Sequence, residues 1–300
     1  MVTDWPQRIA IVGLGLIGGS LGLAIRQRRP GIHVVGIDRD EATLERARAR
    51  GAIDDAHSSW TDGIPGADLV VLATPVSVIL EQLERLPELL DEEALVTDVG
   101  STKRAIHQRG RAALGERFIG GHPLAGSDRA GIDAARTGLF RDRTWVLTGG
   151  DSASMAELGA FLGKLGARVT ELNPSDHDRV VAATSHLPQL LAIALGARLD
   201  EGAADDDAYR RLLATGGDDW LRLARASADV WRDIVATNAD RIRDEVHAVV
   251  AHLRALDRDL DHLESAFERA NRLAIETQNG IFWDHTNGGD ITWRPAKRNS

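Results

Sequence analysis

Apolar residues in the first half of the chain cluster in short runs, separated by stretches whose apolar positions recur at helical spacing. The runs at residues 8–12, 33–37, 68–73, 94–98, 117–121, 144–148 and 168–172 are predicted as strands, being short and mostly rich in β-branched residues. Amphipathic stretches at 14–28, 40–50 and 76–90 are predicted as the intervening helices. Strands alternating with helices point to βαβ units and a mostly parallel sheet with helices on both faces. Leu69, Val70, Val71 and Leu72 are continuously apolar, as expected of a strand covered on both sides.

The pattern changes near residue 173. Segments 174–200, 206–225 and 227–279 have helical spacing and almost no strand-like runs. Val235, Ile242, Val246, Val249, Leu253, Leu256, Leu260 and Leu263 mark one face of a long helix or helix pair. That stripe is longer than a single covering helix needs, so a helical second domain and a homodimer formed through it are expected. The predicted domains are 1–172 and 173–300, the latter ending in a polar, loosely held tail over 285–300.

Composition narrows the function classes. The chain has 300 residues, 43% hydrophobic and 27% charged, in the range of ordinary globular domains. A net charge of -9 argues against a nucleic-acid partner, while a local arginine cluster still suits an anionic small substrate. The absence of cysteine removes disulfides, thiolate nucleophiles and cysteine-ligated zinc. The ten histidines show no tight ligand pair with a carboxylate partner, so no metal is expected. No signal-peptide core is seen at the N-terminus, and no stretch is read as approaching the roughly 18 apolar residues of a membrane span. A cytoplasmic enzyme is expected.

The chemistry starts at Gly13-Leu-Gly15-Leu16-Ile17-Gly18, directly after the first strand and at the start of the first helix. Asp38 follows about 20 residues later, which is the spacing of a dinucleotide fingerprint in a Rossmann-type domain. Gly13 serves the tight turn, Gly15 the approach of the pyrophosphate, and Gly18 the packing of helix on strand. A carboxylate at Asp38 favours NAD over NADP, and the adjacent Arg39 is the one feature that would accommodate a 2′-phosphate. Thr74 and Pro75 fall where a loop would cover the nicotinamide half.

Further polar segments lie near strand ends or in the helical half: 97–103 (TDVGSTK), 120–131 (GGHPLAGSDRAG), 185–189 (SHLPQ), 219–224 (DWLRLA) and 231–234 (WRDI). Singly, each has a structural explanation: Ser101 as a helix cap, His122 as a satisfied loop histidine, His186 as a packing histidine, Arg222 as a solvated surface residue. GLGLIGGS at 13–20, TDVGSTK, GGHPLAGSDRAG, SHLP and WRDI occur in the order found in the prephenate dehydrogenase family, which includes arogenate dehydrogenases, and the chain resembles that family from the first strand to about residue 235. The 219–224 segment departs from the family's pattern and keeps only the arginine. The resemblance implies a Rossmann domain followed by an all-helical dimerisation domain. It implies NAD-dependent hydride removal from the hydroxyl-bearing ring carbon of prephenate, with loss of the ring carboxylate as carbon dioxide. His122 matches the family's catalytic histidine, Ser101 a serine bonded to the same region, and Arg222 the arginine that grips a substrate carboxylate. His186 and Gln189 are placed on the substrate side, and Asp128 near the mouth of the site. Where relatives often have a second histidine this chain has Gln189, so pyruvyl and alanyl side chains, and with them prephenate, arogenate or a 4-amino analogue, stay open. A 3-hydroxy-acid dehydrogenase would need a lysine from the helical half, and none occurs between Lys164 and Lys297. A non-catalytic NAD-binding module or an oligomerisation scaffold would leave the polar segments unexplained.

Overall fold

A computed structural model describes residues 5–127 and 129–278 of the chain. It opens with β1 (Arg8–Val12), α1 (Leu16–Arg28), β2 (His33–Ile37), α2 (Glu41–Ala49), β3 (Asp55–His57), α3 (Trp60–Gly63), β4 (Leu69–Leu72) and α4 (Val76–Arg85). Next come β5 (Leu95–Asp98), α5 (Arg104–Leu114), β6 (Phe118–Pro123), β7 (Thr144–Thr148), α6 (Ser152–Lys164) and β8 (Arg168–Glu171). The rest is helical: α7 (Pro174–Val181), a π turn over Ala182–His186, α8 (Leu187–Asp205), α9 (Ala208–Arg211), α10 (Thr215–Ala224), α11 (Ala228–Arg258) and α12 (Glu264–Gln278).

The strands form one sheet in the order β3-β2-β1-β4-β5-β6-β7-β8. All neighbours pair in parallel except β6 and β7, where His122 lies opposite Val146 in an antiparallel ladder. Alternation of side chains along each strand divides the core between the two faces. Ile9, Ile11, Leu69 and Val71 pack with Leu21 and Ile25 of α1 and Leu158 and Phe161 of α6. Ala10, Val12, Val70 and Leu72 pack on the other face with Ile79 and Leu83 of α4 and Ile106 of α5. The unbroken apolar run in β4 is thus explained by helices on both faces.

Three features differ from the sequence expectation. The short edge strand β3 was not foreseen, because Asp55-Ala56-His57 is polar at both ends and only three residues long. The predicted long helix bends: Asn238 within α11 has φ -136° and ψ 24°, outside the helical region. Third, the helical run Pro174–Asp205 contains an 18-residue window of mean hydropathy 1.5, long and apolar enough to cross a membrane by length and composition. This corrects the expectation that no stretch approaches that size. Its apolar positions sit on more than one side of the helix, with Ala192 buried and Ile193 and Leu195 exposed. The tail over 285–300 lies outside the described residues.

The chain divides into two compact units, residues 1–243 and 244–300. The first holds the sheet, its covering helices and the helices from α7 into the first half of α11. Within the second, Leu253, Leu260, Phe267, Leu273 and Ile275 are each more than half exposed.

Candidate active site

The strand order reverses between β1 and β4, and the C-terminal edge of a parallel sheet at such a point is where its ligands bind. A cleft there is lined by Gly13, Gly15, Asp38, Arg39, Trp60, Thr74, Pro75 and Gln82. Gly13 has φ +96°, and a Cβ there would meet the carbonyl oxygen of Ala73 at 2.7 Å, so the turn needs glycine. A Cβ on Gly18 would overlap the carbonyl oxygen of Gly13, which fixes how closely α1 approaches β1. Around Gly15 the space is open, with nothing within 4 Å of an added Cβ. Gly15 is also the N-cap of α1 and supplies no side-chain cap. The first-turn N–H groups, those of Leu16 and Ile17 included, therefore lack intrahelical acceptors and suit a pyrophosphate.

Asp38 ends β2 and ties the loop together: Oδ2 accepts from the Leu14 N–H at 2.9 Å and Oδ1 from the Asp40 N–H at 3.1 Å. Arg39 is exposed beside it. Across the cleft, Thr74 Oγ1 donates to Oε1 of the buried Gln82 at 2.7 Å. Pro75 is the N-cap of α4, and the exposed N-terminus of that helix is held by Asp233, whose Oδ2 accepts from the Ser77 N–H at 2.9 Å and Ser77 Oγ at 2.6 Å. The cleft therefore fits a dinucleotide, and the helical half reaches the loop that closes one side of it.

His122 sits at the same C-terminal edge, near the end of β6. Its ring is partly buried, and Nδ1 lies 2.8 Å from Nε2 of His177 on α7. His177 Nδ1 in turn lies 2.8 Å from Oδ1 of Asp178. Burial holds the His122 imidazole well below its usual range, and His177, Lys103 and His186 push the same way. Its Nε2 has no hydrogen-bond partner among the described residues.

The ground beneath His122 is charged. Lys103 and Asp98 are both fully buried and form an ion pair. Asp98 Oδ1 accepts from the Gly121 N–H at 3.0 Å, one residue before His122, while Oδ2 accepts from the Gly100 N–H at 2.7 Å. Asp98 thus bridges β5 to β6 beyond their last paired residues, Thr97 and Ile119. Asp178 caps α5 from a distance, accepting from the Lys103 N–H at 2.6 Å and the Arg104 N–H at 3.0 Å. Arg104 adds Nε to Asp178 at 3.2 Å and NH2 to Asn238 Oδ1 at 2.9 Å.

The remaining sequence-predicted residues are placed as follows. Ser101 is half-buried in the turn between β5 and α5; it does not cap α5, whose N-cap is Lys103, and no hydrogen bond joins it to His122 among the described residues. His186 is buried, 3.3 Å from Nδ2 of Asn238 and edge-on to Trp231. Burial lowers its pKa to about 4. Gln189 is buried too, with Nε2 donating to the Leu223 carbonyl at 2.9 Å, so it anchors the end of the helix that carries Arg222. Arg222 is exposed and has no ion-pair partner among the described residues. Asp128 lies outside the described residues. Lys103, Asp98, His177, Asp178 and Asn238 were not singled out from sequence. Two of them lie in the quoted 97–103 segment, and His177-Asp178 follows a helix-start signal at Asn173-Pro174. No metal-binding group of three or more histidine or acidic side chains occurs among the described residues.

Comparison with known proteins decides the family. The family described as prephenate dehydrogenase, nucleotide-binding domain, matches residues 21–171, and its dimerization domain matches residues 173–270. The chain belongs to the prephenate dehydrogenase family. A prephenate dehydrogenase of Bacillus subtilis (strain 168) is 38% identical over 200 residues, covering 65% of this chain and 54% of the relative. The chain thus spans about half the length of that curated relative. Among solved structures, the prephenate dehydrogenase of A. aeolicus in complex with hydroxyphenyl propionate and NAD+ is 28% identical, with a TM-score of 0.80 over 91% of this chain and 96% of that one. An arogenate dehydrogenase of Synechocystis is 32% identical, with a TM-score of 0.74 over 91% of this chain and 98% of that one.

Proposed function

We propose that the chain is an NAD-dependent prephenate dehydrogenase, converting prephenate to 4-hydroxyphenylpyruvate in cytoplasmic tyrosine biosynthesis. The observation that carries this is the placing of His122 on the cofactor edge of the sheet, Nδ1 engaged by His177 and Nε2 without a partner among the described residues. NAD, when bound, supplies the hydride acceptor. Gly13, Gly15, Leu16, Ile17 and Gly18 cradle its phosphates, Asp38 and Arg39 face the adenosine ribose, and Thr74 and Pro75 border the nicotinamide half. His122 Nε2 receives the proton of the substrate hydroxyl as hydride leaves the same carbon. The ring carboxylate then departs as carbon dioxide, its bonding electrons completing the aromatic ring, and the phenolate oxygen so formed takes the proton back from His122. The low proton affinity of His122 keeps it neutral at neutral pH, as a base must be.

Ser101 is assigned to the hydroxyl end of the substrate, with Asp128 at the mouth. Arg222 is assigned to a substrate carboxylate, a task its exposed guanidinium fork suits. Gln189 and His186 shape the wall beneath it. In this reading residues 1–172 bind cofactor, while 173–300 complete the substrate site and form a homodimer.

Arogenate is the second reading, favoured by Gln189, an uncharged side chain where a histidine would carry charge. Purified protein is assayed for NADH absorbance with prephenate or arogenate, and again with NADP. Turnover with prephenate and NAD is expected; turnover with arogenate alone reassigns the substrate, and silence with both removes the dehydrogenase reading. His122→Asn is expected to lower kcat by about 10²–10⁴-fold. NAD affinity, measured by fluorescence titration, should stay unchanged.

A further inference from the structure

Resting on the reading of His122 as the base, we infer that Asp178 and His177 are positioning residues that fix its tautomer, leaving the lone pair on Nε2. An ionised carboxylate only accepts hydrogen bonds. Asp178 is fully enclosed and has its oxygens facing the Lys103 and Arg104 N–H groups, the Arg104 guanidinium and His177 Nδ1. Burial pushes its carboxyl up, but the His177 contact and the two backbone N–H groups outweigh that, and it stays ionised. His177 Nδ1 must then carry a hydrogen.

A neutral imidazole bears only one, so His177 Nε2 is an acceptor. The contact of 2.8 Å to His122 Nδ1 requires the hydrogen to sit on that atom. A neutral His122 with Nδ1–H has its lone pair on Nε2. Both rings are held neutral by burial, and Lys103 adds to this for each. The other charged or titratable groups around the pair are Asp98 on β5, Arg104 on α5 and His186 in the π turn. None of them makes a hydrogen bond to either ring among the described residues, so the order of hydrogens is set from the carboxylate end. When Nε2 gains the substrate proton, the new positive charge lies at one end of a chain whose other end is anionic.

A plain structural role for Asp178, as the cap of α5, predicts something different. Asp178→Asn keeps a capping oxygen, but its amide nitrogen donates. The Arg104 N–H and guanidinium both donate to Oδ2, so the amide oxygen keeps that place and the nitrogen replaces Oδ1, giving up the Lys103 N–H and facing His177 Nδ1, where it turns the chain of hydrogens round and puts the hydrogen of His122 on Nε2. The experiment is nitrogen-15 NMR of histidine-labelled full-length protein, without substrate, beside steady-state kinetics. The wild type is expected to show His122 protonated on Nδ1, and Asp178→Asn to show it on Nε2. The variant's kcat should fall by about 10²–10⁴-fold, with KM and NAD affinity within a few-fold. His177→Phe leaves the cap in place and serves if Asp178→Asn does not fold; it should abolish the Nδ1–H preference and lower kcat similarly. Wild-type His122 protonated on Nε2 overturns the relay, as does either folded variant with wild-type tautomer and kcat. Absence of turnover in the wild type itself, with the Nδ1–H tautomer present, counts against the proposed reaction and leaves the relay standing.

Discussion

Lys103 is the least expected residue of the molecule: a lysine with no exposure, its ammonium paired to the equally buried Asp98. Removing one partner of such a pair leaves the other charged and desolvated. Lys103→Met is therefore expected to destabilise by roughly 3–5 kcal/mol, less whatever the Gly100 and Gly121 N–H groups recover for Asp98. Urea unfolding checks it, and a change below about 1 kcal/mol would show that the pair contributes little. The buried histidines give the molecule a second signature. His186 falls from an ordinary pKa of 6.5 to about 4, because burial disfavours its charged form. Between those values the unfolded chain binds the proton and the folded one does not, so stability is complete above pH 6.5 and declines as pH drops toward 4. The linkage is worth up to roughly 3 kcal/mol for this one group. His122 and His177, also lowered, act in the same direction. Unfolding midpoints from pH 7 to 4 should fall steeply, and His186→Gln should flatten that slope by about one proton. His122 was legible in the sequence because its segment has a recognisable order of residues. His177, Asp178 and Lys103 were not, since only folding brings Asp178 to a helix that starts 74 positions earlier.

Two helices of the sheet domain begin without caps of their own and take them from the helical half. Asp178 serves α5 and Asp233 serves α4. This gives a structural meaning to WRDI: its aspartate secures the helix that follows Thr74 and Pro75. Asp233→Ala should cost about 1 kcal/mol of stability, as cap removals do, read as a drop of a few degrees in Tm. It should also weaken NAD binding by loosening that loop, which a titration would register; unchanged affinity would confine Asp233 to stability alone. Most strands were legible to within two residues, because branched apolar runs bounded by polar turns have few alternatives. The last two residues of β6 were not: His122 and Pro123 extend the strand through the ladder to β7, and Asp98 holds the preceding Gly121, neither of which has a local pattern. The bend in α11 was invisible for a similar reason. Asn238 leaves helical geometry while its side chain bonds the Asp178 carbonyl at 2.8 Å and Arg104 at 2.9 Å. Helical spacing on either side shows no break.

At the scale of the whole molecule, the exposed apolar residues of the C-terminal unit become a physical problem, and of the stripe read from sequence Leu253 and Leu260 are among them. Leu253, Leu260, Phe267, Leu273 and Ile275 are 53%, 63%, 62%, 64% and 57% exposed in the C-terminal unit. Fully burying one such side chain is worth about 1.5–3 kcal/mol, so five of them left in water represent a large unclaimed stabilisation. Single exposed apolar residues are ordinary, but five in one short unit, on α11, on α12 and in the turn between them, are more than such a unit needs to leave in water. The homodimer proposed above would cover them, because a two-fold pairing presents the same apolar face from both sides. Purified protein should therefore be a dimer by light scattering at micromolar concentration. Leu253→Asp with Leu260→Asp places one charge on α11 and one in the turn that follows it, and should shift the population to monomer. The sheet unit's own unfolding transition should stay in place, since neither residue belongs to it. A wild type that is monomeric throughout, with these side chains still exposed, would mean that another partner covers them. A double variant that remains dimeric would move the interface to the exposed side of α8, where Ile193 and Leu195 are the next apolar pair.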